Sequence, residues 1–172
     1  IETVAPTGSK QSFSYDALGN RLSETSGEGH TTTYSYDSMN RVSSKKRPTG
    51  GETQYAYDTT GSLAKETDAN GHSTNYVNDL YGRVTKRTLP NEAAYTYAYD
   101  ALGRLTKQTG PQGLSKTYSY DVSGNLVQET DQSDRSNHYS YDKVGRLLTA
   151  KNALDLETKY SYDEAGNLAK LT

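Results

Sequence analysis

Residues 97–105 read Tyr97-Ala98-Tyr99-Asp100-Ala101-Leu102-Gly103-Arg104-Leu105. Side chains alternate along a strand, so the rings of Tyr97 and Tyr99 leave the same face. Tyr favours strands, while Asp and Gly punctuate them. Two variable residues follow Asp100, and then comes Gly103, a residue type that tolerates the left-handed backbone conformation. A three-residue hairpin loop built on a type I turn takes such a residue in its last place. That loop sets Asp100 opposite Arg104 and Tyr99 opposite Leu105. Ring and aliphatic then share a face as a cross-strand pair, worth about 0.2–1 kcal/mol beyond Ala–Ala. Turn chemistry and apolar pairing therefore select one register.

The stretch is one copy of a unit that recurs every 21 residues, eight times. The Tyr-Asp pair returns as Tyr15-Asp16, Tyr36-Asp37, Tyr57-Asp58, Asn78-Asp79, Tyr99-Asp100, Tyr120-Asp121, Tyr141-Asp142 and Tyr162-Asp163. An aromatic lies two residues ahead of each pair: Phe13, Tyr34, Tyr55, Tyr76, Tyr97, Tyr118, Tyr139 and Tyr160. Three residues after each Asp stands Gly19, Asn40, Gly61, Gly82, Gly103, Gly124, Gly145 or Gly166, and two further on an aliphatic in most units. The first unit departs, since Arg21 intervenes and Leu22 comes one place late; a bulge is expected there. In the fourth, Asn78 replaces the second ring and Tyr81 appears three residues later. Two readings stay open: Tyr81 fills the gap, or the spot is a local defect.

A second turn closes each unit. Asp68-Ala69-Asn70-Gly71 and Gly110-Pro111-Gln112-Gly113 are clear instances; Asp131-Gln132-Ser133-Asp134 and the neighbourhood of Asp155-Leu156-Glu157 are weaker ones. Two turns per unit leave two strands of about six or seven residues. The expected architecture is all-β: an antiparallel meander of tandem hairpins, sixteen strands in all, forming a curved or spiralling sheet because wide open sheets curl. Helices are not expected, since apolar positions alternate by two and Gly recurs at every turn. A leucine-rich repeat would need more aliphatics, and a β-helix would need parallel coils. Residues 1–10 read as a lead-in and 11–172 as the eight repeats. The chain starts Ile1-Glu2-Thr3 and shows no signal peptide, so it reads as a piece of something larger. The end strands of such a piece offer edges for self-association.

Composition fits this picture. Hydrophobic residues make up 31%, below the usual ~45–50%. Sixteen tyrosines beside one Phe and no Trp supply the apolar area, and 14 of them fall in the two registers above, leaving Tyr81 and Tyr95 outside. A net charge of −2 gives no footprint for nucleic acid or an anionic membrane. Lys45-Lys46-Arg47 is the one basic run and reads as a solvated loop. No apolar stretch approaches the ~20 residues of a membrane span. Without Cys there is no disulfide frame and no thiolate metal site.

No catalytic or metal constellation is expected, nor any cofactor. Catalysis needs unlike groups with separated pKa values in one place. A ladder of identical aspartates offers none, and each is read as capping its own turn and facing the following Arg or Asn. Calcium needs about six to eight oxygens, more than one Asp per turn supplies. His30 and His72 share a register two units apart, and His138 sits in another. The positions carrying structural weight are Tyr34, Tyr36, Asp37, Tyr55, Tyr57, Asp58, Gly61, Tyr97, Tyr99, Asp100, Gly103, Tyr118, Tyr120, Asp121, Gly124, Tyr139, Tyr141, Asp142 and Gly145. The tyrosine rows are read as a stacked hydrophobic layer; the competing reading is a platform for sugar or protein.

Tyr-Asp-x-x-Gly-Arg/Asn-Leu repeated in phase, best seen at 99–105 and 141–147, resembles the Rhs/YD-repeat family over residues ~11–172. Such repeats occur in bacterial polymorphic toxins, wall-associated proteins, insecticidal toxin complexes and animal teneurins. The resemblance implies a long β-sheet spiralling into a hollow shell, which in toxin members encloses a C-terminal toxic domain. It implies flanking repeats and an enclosed cargo domain as partners, and a secreted or surface-delivered parent. Carbohydrate binding at the cell surface is the family's other proposed role.

Overall fold

The computed structural model describes residues 2–4 and 10–172, and these form two compact units, Ile1–Ala93 and Ala94–Thr172. The first holds β1 (Glu2–Val4), β2 (Lys10–Tyr15), β3 (Arg21–Thr25), β4 (Thr31–Tyr36), β5 (Val42–Lys46), β6 (Glu52–Tyr57), β7 (Leu63–Thr67), β8 (Ser73–Asn78) and β9 (Val84–Thr88). The second holds β10 (Ala94–Tyr99), β11 (Leu105–Thr109), β12 (Ser115–Tyr120), β13 (Leu126–Asp131), β14 (Ser136–Tyr141), β15 (Leu147–Lys151), β16 (Glu157–Tyr162) and β17 (Leu168–Leu171). Within each unit every strand pairs antiparallel with its sequence neighbour. The chain is thus an all-β antiparallel meander of hairpins, interrupted among the described residues by one short 3-10 turn at Pro111–Gly113.

The described residues form seventeen strands where sixteen were expected. The extra one, β1, pairs Glu2 with Ser12, Thr3 with Gln11 and Val4 with Lys10. That is the register by which β15 meets β16, so the lead-in carries the second strand of a repeat. Most strands are five or six residues long, shorter than expected, because each turn closes with hydrogen bonds that take residues from both flanks.

The Tyr-Asp turn has the expected geometry. The Asp100 N–H donates to the Arg104 carbonyl at 2.9 Å and the Gly103 N–H to the Asp100 carbonyl at 3.0 Å. Gly103 has φ of 83°, and Asn40 holds the same place at 59°. Tyr99 pairs with Leu105. The closing turns other than that at Gly110 repeat this geometry: the Asp68 N–H donates to the His72 carbonyl at 2.9 Å and the Gly71 N–H to the Asp68 carbonyl at 3.0 Å. The last closing turn starts at Asn152, three residues earlier than the sequence suggested. Asp155 does not open it but takes its left-handed position, φ 63°.

The bulge expected in the first repeat is not special to it. In β10–β11, Ala98 pairs with Lys107 and Tyr99 with Leu105, which leaves Thr106 as an extra residue. The same shift recurs in all eight hairpins, between Ser14 and Tyr15 in the first. Tyr15 pairs with Arg21, so Arg21 takes the aliphatic's place and Leu22 falls on the bulge. The aliphatic is substituted there, and no residue is displaced. Each bulge adds local bend and twist to its strand.

Alternation gives the hairpins two unlike faces. Ring positions such as Tyr34, Tyr36, Tyr55, Tyr57, Tyr118 and Tyr120 are half-buried, whereas the residues between them, Ser35, Ala56 and Ser119, are exposed. No described residue is fully buried, so each unit is stabilised by one half-covered face rather than an enclosed core. Opposite the leading ring of each of the first four hairpins stands a long side chain that carries a charge. Phe13 faces Glu24, Tyr34 faces Lys45, Tyr55 faces Glu66 and Tyr76 faces Arg87.

Candidate functional site

The residue positions singled out from the sequence converge on the Tyr-Asp turns and the strand ends beside them. Asp37, Asp58, Asp100, Asp121 and Asp142 open the turns, and Gly61, Gly103, Gly124 and Gly145 take the left-handed places. Tyr34, Tyr55, Tyr97, Tyr118 and Tyr139 sit mid-strand. Tyr36, Tyr57, Tyr99, Tyr120 and Tyr141 end the strands that lead into the turns.

Each Asp does more than punctuate. Asp100 Oδ1 accepts from the backbone N–H of Leu102 at 2.9 Å and of Arg104 at 2.9 Å, and Oδ2 accepts from Arg104 Nε at 2.7 Å. This is the side-chain mimic of a turn that Asp makes readily. Where Asn replaces Arg the pattern persists, with Asn125 Nδ2 donating to Asp121 Oδ2 at 2.9 Å. Asp68, Asp131 and Asn152 make the same backbone contacts in closing turns.

Arginine carries the link from one repeat to the next. The Arg41 guanidinium, held by Asp37, lies 4.3 Å from the centre of the Tyr57 ring in the following hairpin. Arg104 lies 4.8 Å from the Tyr120 ring and Arg146 4.7 Å from the Tyr162 ring. Arg104 Nη1 also donates to the Asp121 carbonyl at 3.0 Å. The tyrosine in turn donates backwards: Tyr57 Oη to the Val42 carbonyl at 2.8 Å, Tyr120 Oη to Leu105 at 2.8 Å, Tyr162 Oη to Leu147 at 2.9 Å. The sequence reading missed this clasp, although the constant spacing from each Arg to the tyrosine sixteen residues on was visible.

The odd fourth repeat follows from the same rule. Asn78 Nδ2 donates to the Leu63 carbonyl at 2.9 Å, the bond a tyrosine hydroxyl makes elsewhere. The preceding turn has Ser62 where an Arg would stack, and Asp58 Oδ2, left without it, accepts from Asn78 at 3.1 Å. Missing arginine and missing ring thus answer each other. Tyr81 does not fill the gap; it is 84% exposed, with Arg83 over its ring at 5.1 Å.

The electrostatics are uniform. All eight turn aspartates have pKa values below the ordinary carboxylate value. The Arg41 side chain holds Asp37 down, the Arg104 backbone N–H does so for Asp100, and the Thr60 hydroxyl and then the Asn78 amide take Asp58 to about 2. Ionised carboxylates of one kind cannot divide acid and base roles between them. Among the described residues no group of three or more His, Cys, Asp and Glu is placed to hold a metal. His30 and His72 lie in closing turns and His138 on β14. The basic run divides: Lys45 faces the Tyr34 ring at 5.8 Å, Lys46 takes the opposite face by alternation, and Arg47 opens a turn.

The turn carboxylates titrate lower in the folded chain than unfolded, so their stabilisation is present above the ordinary carboxylate range and fades as pH falls below it, for Asp58 towards about 2. Urea midpoints should be flat down to about pH 4 and then drop. A midpoint unchanged through that window would show that the charged carboxylates do not hold the turns.

No helix of the described residues is long and apolar enough to cross a membrane. Two family profiles match the sequence: the teneurin YD-shell over residues 2–115 and the RHS repeat over residues 99–136 and 141–172. No curated protein matches it significantly. Among solved structures the chain is similar to a Photorhabdus luminescens Tc holotoxin pore with a mutated TccC3, at 18% identity and a TM-score of 0.77, over 92% of this chain and 11% of that one. It is also similar to the TcdB2-TccC3 crystal structure, at 17% identity and a TM-score of 0.78, again over 92% and 11%. The chain therefore spans 11% of the length of these solved chains, and at such identities the likeness establishes the fold alone.

Proposed function

The chain belongs to the Rhs/YD-repeat family, and from that premise we propose that it is a non-catalytic segment of a shell enclosing a toxin or other cargo. Residues 11–172 supply eight tandem repeats and 1–10 a lead-in, within a secreted or surface-delivered protein. The mechanism is steric: hydrogen-bonded hairpins with short, self-satisfied turns form a wall that keeps solvent and proteases from what lies behind it.

One observation carries this reading. The hydroxyls that a sugar or peptide platform would offer at Tyr36, Tyr57, Tyr120 and Tyr162 are donated to backbone carbonyls inside the array, and Arg41 covers the Tyr57 ring. That also counts against carbohydrate binding at these four tyrosines. Strict repetition suits a wall, since each repeat adds area without needing an individual chemistry.

The test is protease protection. In the full-length parent, cargo should resist trypsin under conditions that digest the same cargo expressed alone. Gly103→Val with Gly145→Val, which weaken two turns of the wall, should shorten the cargo's lifetime by about ten-fold or more, as the open form becomes more populated. Cargo cleaved equally fast in the parent and alone would refute enclosure.

A further inference from the structure

Several departures from the repeat meet at one place in the second compact unit. Tyr95 stands at a register that Thr32, Thr53, Thr74 and Thr158 hold elsewhere. Gly110 opens a closing turn at the register of Asp68, Asp131 and Asn152. The turn itself differs at Gln112, with φ of 62°, while Gly113 at 81° keeps the left-handed place that Gly71 holds at 83°. These changes are physically coupled. A Cβ on Gly110 would lie 3.4 Å from Tyr95 Cε1, so the ring rests against bare backbone where other turns carry a side chain. The result is a surface recess of about 340 Å³ walled by Tyr95, Pro111 and Leu114, with Gln108 and Gln132 on its polar side. Leu114 is 50% exposed.

Lys116 and Asp131 also border the recess, but their charges are engaged. Lys116 Nζ donates to Glu129 Oε1 at 2.9 Å, and Asp131 Oδ2 is bound by Arg135 at 2.7 Å. A charged ligand would have to displace an existing pair, whereas a neutral apolar group gains burial at no such cost. The volume lies at the small end of ligand pockets, which run from about 300 to 1,000 Å³, and suits one side chain. The two carboxamides each offer donor and acceptor, as peptide groups flanking that side chain require.

We propose that this recess binds one neutral apolar side chain, from leucine to tryptophan in size, carried on an extended polypeptide. The choice of a polypeptide rests on the cargo reading above; the preference for a neutral apolar group rests on the recess alone.

NMR titration of the intact chain tests it. N-acetyl-L-tryptophanamide and N-acetyl-L-leucinamide should give saturable shifts at the Leu114 methyls and the Gln108 and Gln132 carboxamides. N-acetyl-L-lysinamide and N-acetyl-L-glutamate should bind about ten-fold more weakly or worse. Tyr95→Thr restores the residue of other repeats, and Gly110→Asp fills the recess with the residue that opens the closing turns at Asp68 and Asp131. Each should weaken tryptophanamide binding by about ten-fold while circular dichroism shows an intact sheet. The site is overturned by an absence of saturable shifts, by equal affinity for charged probes, by shifts spread evenly over the tyrosine rows, or by binding that survives both substitutions. Cargo protection without probe binding removes only the site; probe binding without protection keeps the site and removes cargo as its ligand.

Discussion

Changing Gly103 to valine is expected to cost the chain at least about 1–2 kcal/mol of unfolding free energy. Gly103 sits at φ 83°, where a Cβ crowds the following carbonyl and a β-branched side chain crowds it more. Both turn bonds depend on that conformation, from the Asp100 N–H to Arg104 and from the Gly103 N–H to Asp100. Gly103→Asn should cost clearly less, because Asn40 occupies the same register at φ 59°. Urea denaturation of the three proteins decides the matter. A valine variant with an unchanged midpoint would remove the left-handed corner from the account.

Tyr120→Ala should be comparably damaging, at about 2–3 kcal/mol. Truncating a fully buried aromatic costs about 3–5 kcal/mol, and this ring is half-buried. The substitution also removes the hydroxyl on the Leu105 carbonyl and the surface on which Arg104 stacks. Tyr120→Phe keeps the ring and loses only the hydroxyl bond, a net of about 0.5–1.5 kcal/mol. The order alanine worse than phenylalanine is the discriminating result in the same denaturation series. Equal losses would mean that the ring contributes nothing beyond its hydroxyl.

Much of this fold was legible because its determinants are local. Asp100, Gly103 and Leu105 lie within six residues, and turn chemistry alone sets their register. The same reading failed where the deciding partner lay one repeat away. Arg104 looked like the cross-turn partner of Asp100, which it is, but its second contact, with Tyr120, depends on how hairpins pack. Arg21 seemed to displace Leu22 because the bulge in every hairpin has no signature in residue type: Leu22, Thr106 and Leu148 all occupy it. Whether the gap at Asn78 was filled by Tyr81 or was a local defect stayed open until Ser62 and Asp58 were placed beside it. The recess at Tyr95 escaped notice for a related reason. Tyr95 and Gly110 are each unremarkable alone, and only the strand pairing brings ring and bare backbone together.

The side chains opposite the leading rings bear on how such a chain avoids tangling as it is made. In the first compact unit they run Glu24, Lys45, Glu66, Arg87, changing sign at every step. With rings and corners nearly identical from copy to copy, a nascent hairpin could dock on the wrong neighbour at little loss of ring contacts. Skipping one copy would put Glu24 and Glu66, or Lys45 and Arg87, two strands apart on one face, about 10 Å, where like charges still repel weakly. Opposed signs in the proper order, and matched signs in the skipped one, bias the first four hairpins towards docking in the order of the sequence.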